Sequence, residues 1–215
     1  LSPRRLAFFG GTFDPPHVGH LIVARDVAEA LDLEAVFFLP ARIPPHKQDE
    51  TIAPGEIRLE MLKAAVQDDE ILGVSDLELR RDPPSYSVDT LRDVKERIPT
   101  ADLHFVIGTD QLAVFDTWKE PEEVARLAHL VVITRGGEAG IEGTGSGEVG
   151  GGEGGGPTEA TGSEAPTGEE RARGGGESVN CPVDVPYEQV PVTRIELSST
   201  RIRERVRDGL SIRYL

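Results

Sequence analysis

Apolar residues follow two patterns that alternate along the chain. Short, mainly apolar runs are typical of buried strands, and they lie at residues 5–9, 35–39, within 71–79, at 103–107 and at 130–134. A further strand is predicted at 190–197, where apolar and polar residues alternate. Between these runs, apolar residues three or four apart predict helices, at residues 18–31, 55–66, 85–98, 121–127 and from Ser198 onward. Strands that alternate with helices predict a doubly wound α/β fold with a parallel sheet.

Residue types at the element ends refine this prediction. We expect Ser87 to be the N-cap of the third helix and Pro121 to occupy the first position of the fourth. Two of the predicted strands end in glycine, at Gly10-Gly11 and at Gly108. Ligands of such sheets bind beyond the carboxyl ends of the strands, where the strand order reverses. Both glycine junctions are therefore candidates for a binding site.

One long segment follows neither pattern. Residues 136–180 contain 17 of the 24 glycines and nine glutamates, with very few aliphatic residues. This composition is typical of a disordered tether that buries too little apolar surface to offset its ordering entropy. The chain outside it has about 170 residues, enough for one core. The sequence therefore predicts a single domain over residues 1–215, interrupted by a disordered Gly/Glu-rich insert at about 137–179.

Charge and cysteine content narrow the function classes. The formal charge of −15 disfavours nucleic acids and anionic membranes as partners, because those polyanions bind basic surfaces. The chain has no apolar run of the roughly 18 residues typical of a membrane-spanning helix. Its single cysteine, Cys181, rules out an internal disulfide and a four-cysteine zinc site. These features favour a cytoplasmic protein.

The segment at residues 8–20 carries the clearest chemical signal. A glycine turn followed by a helix start offers backbone N–H groups and a positive dipole end to phosphate. His17 and His20, three residues apart, place both rings on one side of that helix, and Gly19 leaves space beside them. The alternative is one histidine at the N-cap of the helix and a second one satisfied by backbone groups, but the adjacent Gly-Gly and Pro-Pro pairs favour phosphate binding. Without obvious third and fourth ligands, zinc is disfavoured.

A second anion site is indicated near the carboxyl end. Ser199 and Thr200 supply hydroxyls at a helix start, and Arg203 follows within one turn, where its guanidinium adds a bidentate contact. A simple helix cap explains the hydroxyls equally well. His46 and Lys47 follow two prolines that extend the backbone, and they form either a third cationic contact or ordinary surface.

Two further residues have both a structural and a functional interpretation. Trp118 is either a core residue or a platform that stacks on a heterocycle. Asp110 is either a helix cap or a ligand of a ribose hydroxyl. The sequence lacks a phosphate-binding P-loop and an ordered dinucleotide-binding glycine motif. It also lacks a convincing serine or cysteine nucleophile, which favours direct transfer without a covalent enzyme intermediate.

Taken together, these motifs resemble a known family. Residues 10–20 with residues 198–203 resemble the paired signature of the nucleotidyltransferases with an HxGH motif. Residues 44–47, residues 85–91 and residues 108–112 followed by Trp118-Lys119 resemble the bacterial nicotinate mononucleotide adenylyltransferases. The resemblance covers residues 5–135 and 182–207, with all five motifs in the family's order.

The resemblance implies a Rossmann-like nucleotidyltransferase fold and transfer of the adenylyl group of ATP to nicotinate mononucleotide. The products are deamido-NAD and pyrophosphate, in NAD biosynthesis, with Mg²⁺ held through the ATP phosphates. It implies catalytic roles for His17, His20 and Arg203. The implied ATP-binding residues are Gly10, Gly11, Thr12, Phe13, His17, Gly19, His20, Gly108, Asp110, Ser199, Thr200 and Arg203. The implied nicotinate mononucleotide-binding residues are His46, Lys47, Tyr86, Ser87 and Trp118.

Two alternatives stay open beside this reading. One is an adenylyltransferase for another phosphate, such as phosphopantetheine, which Trp118 and the Ser-Tyr-Ser stretch at 85–87 disfavour. The other is a nucleotide-binding module without turnover, which the intact His17, His20 and Arg203 disfavour. A homo-oligomer is compatible with the sequence.

Overall fold

The structure is a computed structural model that describes residues 3–42, 52–135 and 181–215. The predicted insert and residues 44–47 lie outside these ranges. The strands are β1 (Arg5–Gly11), β2 (Ala35–Pro40), β3 (Leu72–Val74), β4 (Asp102–Gly108), β5 (His129–Arg135) and β6 (Tyr187–Val192). The helices are α1 (Val18–Ala30), α2 (Gly55–Val66), α3 (Ser87–Arg97), α4 (Thr109–Leu112), α5 (Pro121–Leu127) and α6 (Ser199–Arg207).

All six strands form one sheet in the order β3-β2-β1-β4-β5-β6, and every neighbouring pair is parallel. Phe8 on β1 pairs with Phe37 on one side and with Phe105 on the other. The strand order therefore reverses between β1 and β4, which confirms the doubly wound α/β prediction. Ligands of such sheets bind at this reversal point.

The core lies on both faces of the sheet. Because successive strand residues point to opposite faces, Ala7 and Phe9 pack on the face with α1, whereas Leu6 and Phe8 pack on the face with α3. Burial of β1 on both faces explains its continuous apolar run. It also holds the glycine end of β1 in a fixed position at the edge where the site forms.

The predicted boundaries are confirmed for most elements, including Pro121 at the start of α5. The last strand was predicted at residues 190–197 but ends at Val192. Its alternating apolar residues do not continue in the sheet, because the N–H of Thr193 donates to Asp26 Oδ2 on α1 at 2.6 Å. The N-cap of α3 is Tyr86 rather than Ser87, which is the first helical residue.

Helix α2 has the predicted limits, and one of its buried residues is charged. Ile57, one of the apolar residues in this helix, is 53% exposed. The buried residues are instead Arg58, Leu62 and Val66, which are spaced by four along one side of the helix. Among the described residues, no helix is long and apolar enough to cross a membrane.

Candidate active site

A cavity of about 790 Å³ opens at the carboxyl ends of β1 and β4. The glycines that end these two strands, Gly11 and Gly108, both line it. Its size is that of a pocket for one or two small organic molecules. The strand reversal point and the glycine junctions therefore lie at one site.

The loop from Thr12 to His17, here called the β1–α1 loop, is built around Phe13. Phe13 has a positive φ of 51° and is buried. A Cβ atom on Gly11 would lie 2.7 Å from the Phe13 ring. Glycine at position 11 therefore lets the Phe13 ring fold back against the end of β1, and the loop leaves the sheet in a tight turn.

His17 and His20 form a stacked pair at the start of α1. Their ring centroids are 3.7 Å apart, and His20 Nδ1 accepts a hydrogen bond from the His17 backbone N–H at 3.2 Å. Because Nδ1 is an acceptor, the proton of the neutral His20 ring lies on Nε2. Burial, and next the charge of His17, lower the pKa of His20 to about 3. His20 is thus a neutral donor on the cavity wall.

Glycine at position 19 leaves the His17 ring close to the helix backbone. A Cβ atom there would lie 3.1 Å from His17 Nδ1 and 3.4 Å from Ile195 Cγ2. Contacts near 3.1 Å require the neighbour to move. The glycine therefore sets the position of the His17 ring.

Helix α6 docks directly on the β1–α1 loop. Ser199 Oγ donates to the Pro15 carbonyl oxygen at 2.7 Å, and Arg203 Nη1 donates to the Asp14 carbonyl oxygen at 2.5 Å. Ser198 caps the helix by accepting from the Arg201 N–H at 3.2 Å. Segments that lie more than 180 residues apart in sequence thus meet at one end of the cavity.

The amino end of α3 also lines the cavity, and this helix packs on the other face of the sheet from α1. Its N-cap, Tyr86, makes no side-chain capping bond, so the first N–H groups of the helix have no side-chain acceptor. Lys119 Nζ lies 4.9 Å from the Tyr86 ring centroid and 2.9 Å from Asp89 Oδ2. The arrangement provides backbone donors and one ammonium group on the same wall, which suits a carboxylate.

Trp118 packs against the core and also lines the cavity. The indole packs against Phe115 and Phe105, with ring centroids 5.2 and 6.2 Å away, and it also lines the cavity. Its Nε1 is buried without a hydrogen-bond partner among the described residues. The ring is therefore a rigid aromatic wall that is anchored from behind.

At the second glycine junction, Gly108 is the N-cap of the four-residue helix α4. A Cβ atom on Gly108 would contact Asp110 Oδ1. The carboxylate of Asp110 thus lies directly beside the bare backbone at the end of β4. Both residues line the cavity, so an acceptor and an open backbone face the same space.

Most of the sequence-predicted residues converge on this cavity. The cavity-lining members of that set are Gly10, Gly11, Thr12, Phe13, His17, Gly19, His20, Tyr86, Ser87, Gly108, Asp110, Trp118 and Ser199. Thr200 and Arg203 do not line the cavity. They lie on α6 with the lining residue Ser199, and Arg203 Nη2 donates to Thr200 Oγ1 at 3.3 Å. His46 and Lys47 lie outside the described residues.

Glu78 lines the cavity and was missed by the sequence analysis. Its side chain is 5% exposed, and its Oε1 accepts from Thr90 Oγ1 at 3.1 Å. Burial raises the pKa of Glu78, while the hydrogen bond from Thr90 and the charge of Arg81 oppose that shift. No periodic pattern marks this glutamate within Asp76-Leu77-Glu78-Leu79, so the sequence alone gave no signal for it.

Arg58 was also missed, although a signal for it exists. It stands four residues before Leu62 and eight before Val66, so it shares their helical face. Its guanidinium bonds to backbone carbonyls around the cavity, among them that of Thr12 at 2.7 Å. A search for the buried face of α2 that allowed charged residues would have found it.

Among residues 3–42, 52–135 and 181–215, no group of three or more acidic, histidine or cysteine side chains could hold a metal ion. Mg²⁺ commonly keeps several waters and binds through one or two carboxylates and the phosphates of a substrate. The donors at this site are mainly neutral or positive groups that suit anions. A divalent cation fits here as a companion of a bound polyphosphate.

Comparisons with known proteins show the family of the chain. The family model described as cytidylyltransferase-like matches residues 8–205. A protein of Exiguobacterium sibiricum named probable nicotinate-nucleotide adenylyltransferase is 35% identical over 211 residues, 98% of this chain and 90% of that protein. A protein of the same name from Geobacillus thermodenitrificans is also 35% identical over 211 residues, 98% of this chain and 79% of that protein.

Solved structures share the fold. The nicotinic acid mononucleotide adenylyltransferase of Plasmodium falciparum, solved in complex with NaAD, has a TM-score of 0.65 at 17% identity. The match covers 97% of this chain and 87% of that one. From the family model and the full-length relatives together, the chain belongs to the cytidylyltransferase-like nucleotidyltransferases and, within them, to the nicotinate-nucleotide adenylyltransferase family.

Proposed function

We propose that this protein transfers the adenylyl group of ATP to nicotinate mononucleotide and so makes deamido-NAD for NAD biosynthesis. A phosphate oxygen of the mononucleotide forms a new bond to the α-phosphorus of ATP, and the bond from that phosphorus to the β-phosphate oxygen breaks. Pyrophosphate leaves. Such a transfer depends on positioning and charge stabilisation more than on proton transfer.

One observation carries the proposal. The α6 contacts through Ser199 and Arg203 bring the carboxyl-terminal signature onto the loop that precedes His17 and His20. The cavity beside this contact also includes Trp118 and the open amino end of α3. One site therefore offers phosphate-binding groups at one end and an aromatic wall with carboxylate donors at the other.

At the phosphate end, the proposed catalytic residues are His17, His20 and Arg203. The neutral His20 donates through Nε2 to a phosphoryl oxygen as negative charge develops there. Ser199 and Thr200 contribute hydroxyls, and Arg203 keeps guanidinium donors beyond those that bond to Asp14 and Thr200. These groups are held in place before ATP arrives, so little reorganisation is needed in the transition state.

The rest of the ATP site is formed by backbone at the two glycine junctions. The glycines allow the nucleotide to approach the ends of β1 and β4 closely, and Asp110 accepts from a ribose hydroxyl. The residues assigned to this part are Gly10, Gly11, Thr12, Phe13, Gly19, Gly108 and Asp110.

At the other end, Trp118 stacks on the pyridine ring, and the N–H groups of Tyr86 and Ser87 receive the nicotinate carboxylate. Charge-assisted hydrogen bonds are stronger than neutral ones, so the acid is preferred over the amide of nicotinamide mononucleotide. His46 and Lys47 are proposed, from the sequence motif alone, to approach the mononucleotide phosphate.

Nucleotidyltransferases of this family use a divalent metal with ATP, and Mg²⁺ is the proposed ion. When bound, it neutralises charge on the ATP phosphates. The proposed small-molecule partners are ATP and nicotinate mononucleotide. The acidic charge disfavours nucleic acid, and the single cysteine suits a cytoplasmic location.

Pyrophosphate release measured in four parallel reactions with ATP tests the proposal. The second substrates are nicotinate mononucleotide, nicotinamide mononucleotide, phosphopantetheine and none. We expect turnover with nicotinate mononucleotide and a lower kcat/KM with its amide. Preference for phosphopantetheine would make it the second substrate in place of nicotinate mononucleotide. Absence of turnover in every reaction would indicate a nucleotide-binding module without catalysis.

A further inference from the structure

Arg58 is the largest fully buried side chain of the described structure and carries a charge. Its exposure is 0%, and its guanidinium donates four hydrogen bonds. Every acceptor is a backbone carbonyl: Ala53 at 2.8 Å, Thr12 at 2.7 Å, Ala41 at 2.7 Å and Arg42 at 3.3 Å. A residue that only filled the core would not need this set of bonds.

These carbonyls belong to three separate segments. Thr12 lies in the β1–α1 loop, Ala41 and Arg42 follow the end of β2, and Ala53 precedes α2. Thr12 and Ala41 line the cavity, whereas Arg58 itself does not. Arg58 thus lies behind the site and holds pieces of its wall from the protein side.

The bonds continue from Arg58 to the far end of the cavity. The N–H of Arg42 donates to Ser85 Oγ at 3.2 Å, and Ser85 is adjacent to Tyr86, the N-cap of α3. One connected path therefore runs from Thr12, on the phosphate side, through Arg58 and Arg42 to the amino end of α3. A planar guanidinium suits this role because its fork of five donors fixes several acceptors at once, whereas an ammonium does not.

We infer that Arg58 is a positioning residue for the transfer reaction. It fixes the β1–α1 loop relative to the amino end of α3, and thereby the distance between the two substrates. The inference rests on the proposed function, since it concerns the alignment of the two substrates named there. In-line transfer is sensitive to such alignment, because a displacement of about 1 Å lowers a rate by as much as about a hundredfold.

Arg58→Lys tests the inference, because it keeps the positive charge but replaces the planar five-donor guanidinium with an ammonium group. We expect kcat for ATP and nicotinate mononucleotide to fall about tenfold to a hundredfold. Leu62→Ala is the matched control, because Leu62 is equally buried one turn further along the same face of α2. That variant is expected to lower Tm while kcat, measured well below Tm, stays near wild type.

Guanidinium rescue separates positioning from a general loss of structure. Arg58→Ala leaves a space among the four carbonyls, and added guanidinium ion is expected to restore part of kcat, whereas ammonium at equal ionic strength is not. If the Arg58 variants do not fold, Ser85→Ala breaks the same path at its far end and is expected to lower kcat several-fold.

The outcomes are distinct from those of the proposed function. Wild-type protein that fails to turn over nicotinate mononucleotide removes the proposed function. If the wild type is active and folded Arg58→Lys has the same kcat, the positioning role is overturned. It is also overturned if Leu62→Ala loses as much kcat as Arg58→Lys at a similar decrease in Tm. An unchanged kcat in Ser85→Ala, where that is the only folded variant, overturns it as well.

Discussion

The two glycine junctions at the carboxyl edge of the sheet are held in different ways. The β1–α1 loop is bonded to α6 through Ser199 and Arg203 and to α2 through Arg58. At the β4–α4 junction, by contrast, the described residues show one side-chain hydrogen bond, between the neighbours Gln111 and Asp110 at 3.2 Å. The two strands are adjacent in the sheet, so the difference arises from the surrounding elements.

This contrast indicates that the two junctions have different roles in the reaction. Groups that stabilise transition-state charge are effective when their positions are fixed beforehand, and the β1–α1 loop is fixed from two sides. A junction that binds by close approach of bare backbone needs space more than rigidity. Changes at the first junction should therefore act mainly on kcat, and changes at the second mainly on the KM for ATP.

The largest effect is expected for His20→Ala. This variant removes the Nε2 donor and leaves the His17 N–H without its Nδ1 acceptor. Loss of one such preorganised donor costs about 10²–10³ in kcat, about 2.7–4 kcal/mol. The KM for nicotinate mononucleotide should change by less than about threefold, since the proposed mononucleotide site uses other residues.

His129→Ala is the matched control for this prediction. His129 lies on β5 and bonds to Asp102 at 3.0 Å, at the amino end of β4 and away from the cavity. Its kcat should equal that of the wild type. A His20→Ala enzyme with normal kcat and a raised mononucleotide KM would contradict the assigned role.

The second effect concerns stability at acid pH. Burial lowers the pKa of folded His20 to about 3, against an ordinary value of 6.5. Between these values the unfolded chain binds more protons than the folded one, so stability should fall as pH decreases from 6.5 toward 3. The slope from one histidine is up to about 1.4 kcal/mol per pH unit.

Denaturant unfolding of wild type and His20→Ala between pH 7 and pH 5 measures this slope. The variant should lose less stability over that interval. Part of the slope should remain, because burial also lowers the pKa of His104. Identical slopes in the two proteins would show that His20 does not titrate between these pH values on unfolding.

Most of the site that the sequence predicted is encoded locally, and the family resemblance added the distant pairing of residues 10–20 with residues 198–203. His17, Gly19 and His20 act through their spacing on one helix turn, and Trp118 is marked by its rarity and by the motif around it. The doubly wound sheet was likewise predictable, because buried strands and amphipathic helices alternate within short segments. Local patterns were sufficient wherever the interacting groups are close in sequence.

The remaining features depend on contacts between distant segments. Arg58 bonds to Thr12 across 46 positions, and helical periodicity counts an arginine as polar wherever it lies. The end of β6 depends on Asp26, which takes the Thr193 N–H from 167 positions away. An alternating apolar pattern cannot reveal that a side chain on α1 competes for the backbone of the strand.

Gly19→Ala is expected to have the third largest effect. It should lower kcat without lowering the stability of the protein. The new Cβ would lie 3.1 Å from His17 Nδ1, so the ring must shift and kcat should fall about tenfold, about 1.4 kcal/mol. Alanine within α1 should raise stability or leave it unchanged, because glycine destabilises helices by roughly 0.5–1 kcal/mol. A fall in kcat that accompanies a lower Tm would instead indicate damage to α1.

The smallest effect is expected at the second junction, for Gly108→Ala. The new Cβ would meet Asp110 Oδ1, and because that is the far end of a flexible side chain, the carboxylate can swing away. The KM for ATP should rise about threefold, about 0.7 kcal/mol, with kcat unchanged.

Asp110→Ala, alone and combined with Gly108→Ala, shows whether the carboxylate carries this effect. If both changes act through Asp110, the double variant should have the same KM for ATP as Asp110→Ala alone, since coupled residues are not additive. Additive increases would mean that the alanine methyl itself obstructs the nucleotide. A fall in kcat of the size expected for Gly19→Ala would remove the distinction between the two junctions, because the second would then need the same rigidity as the first.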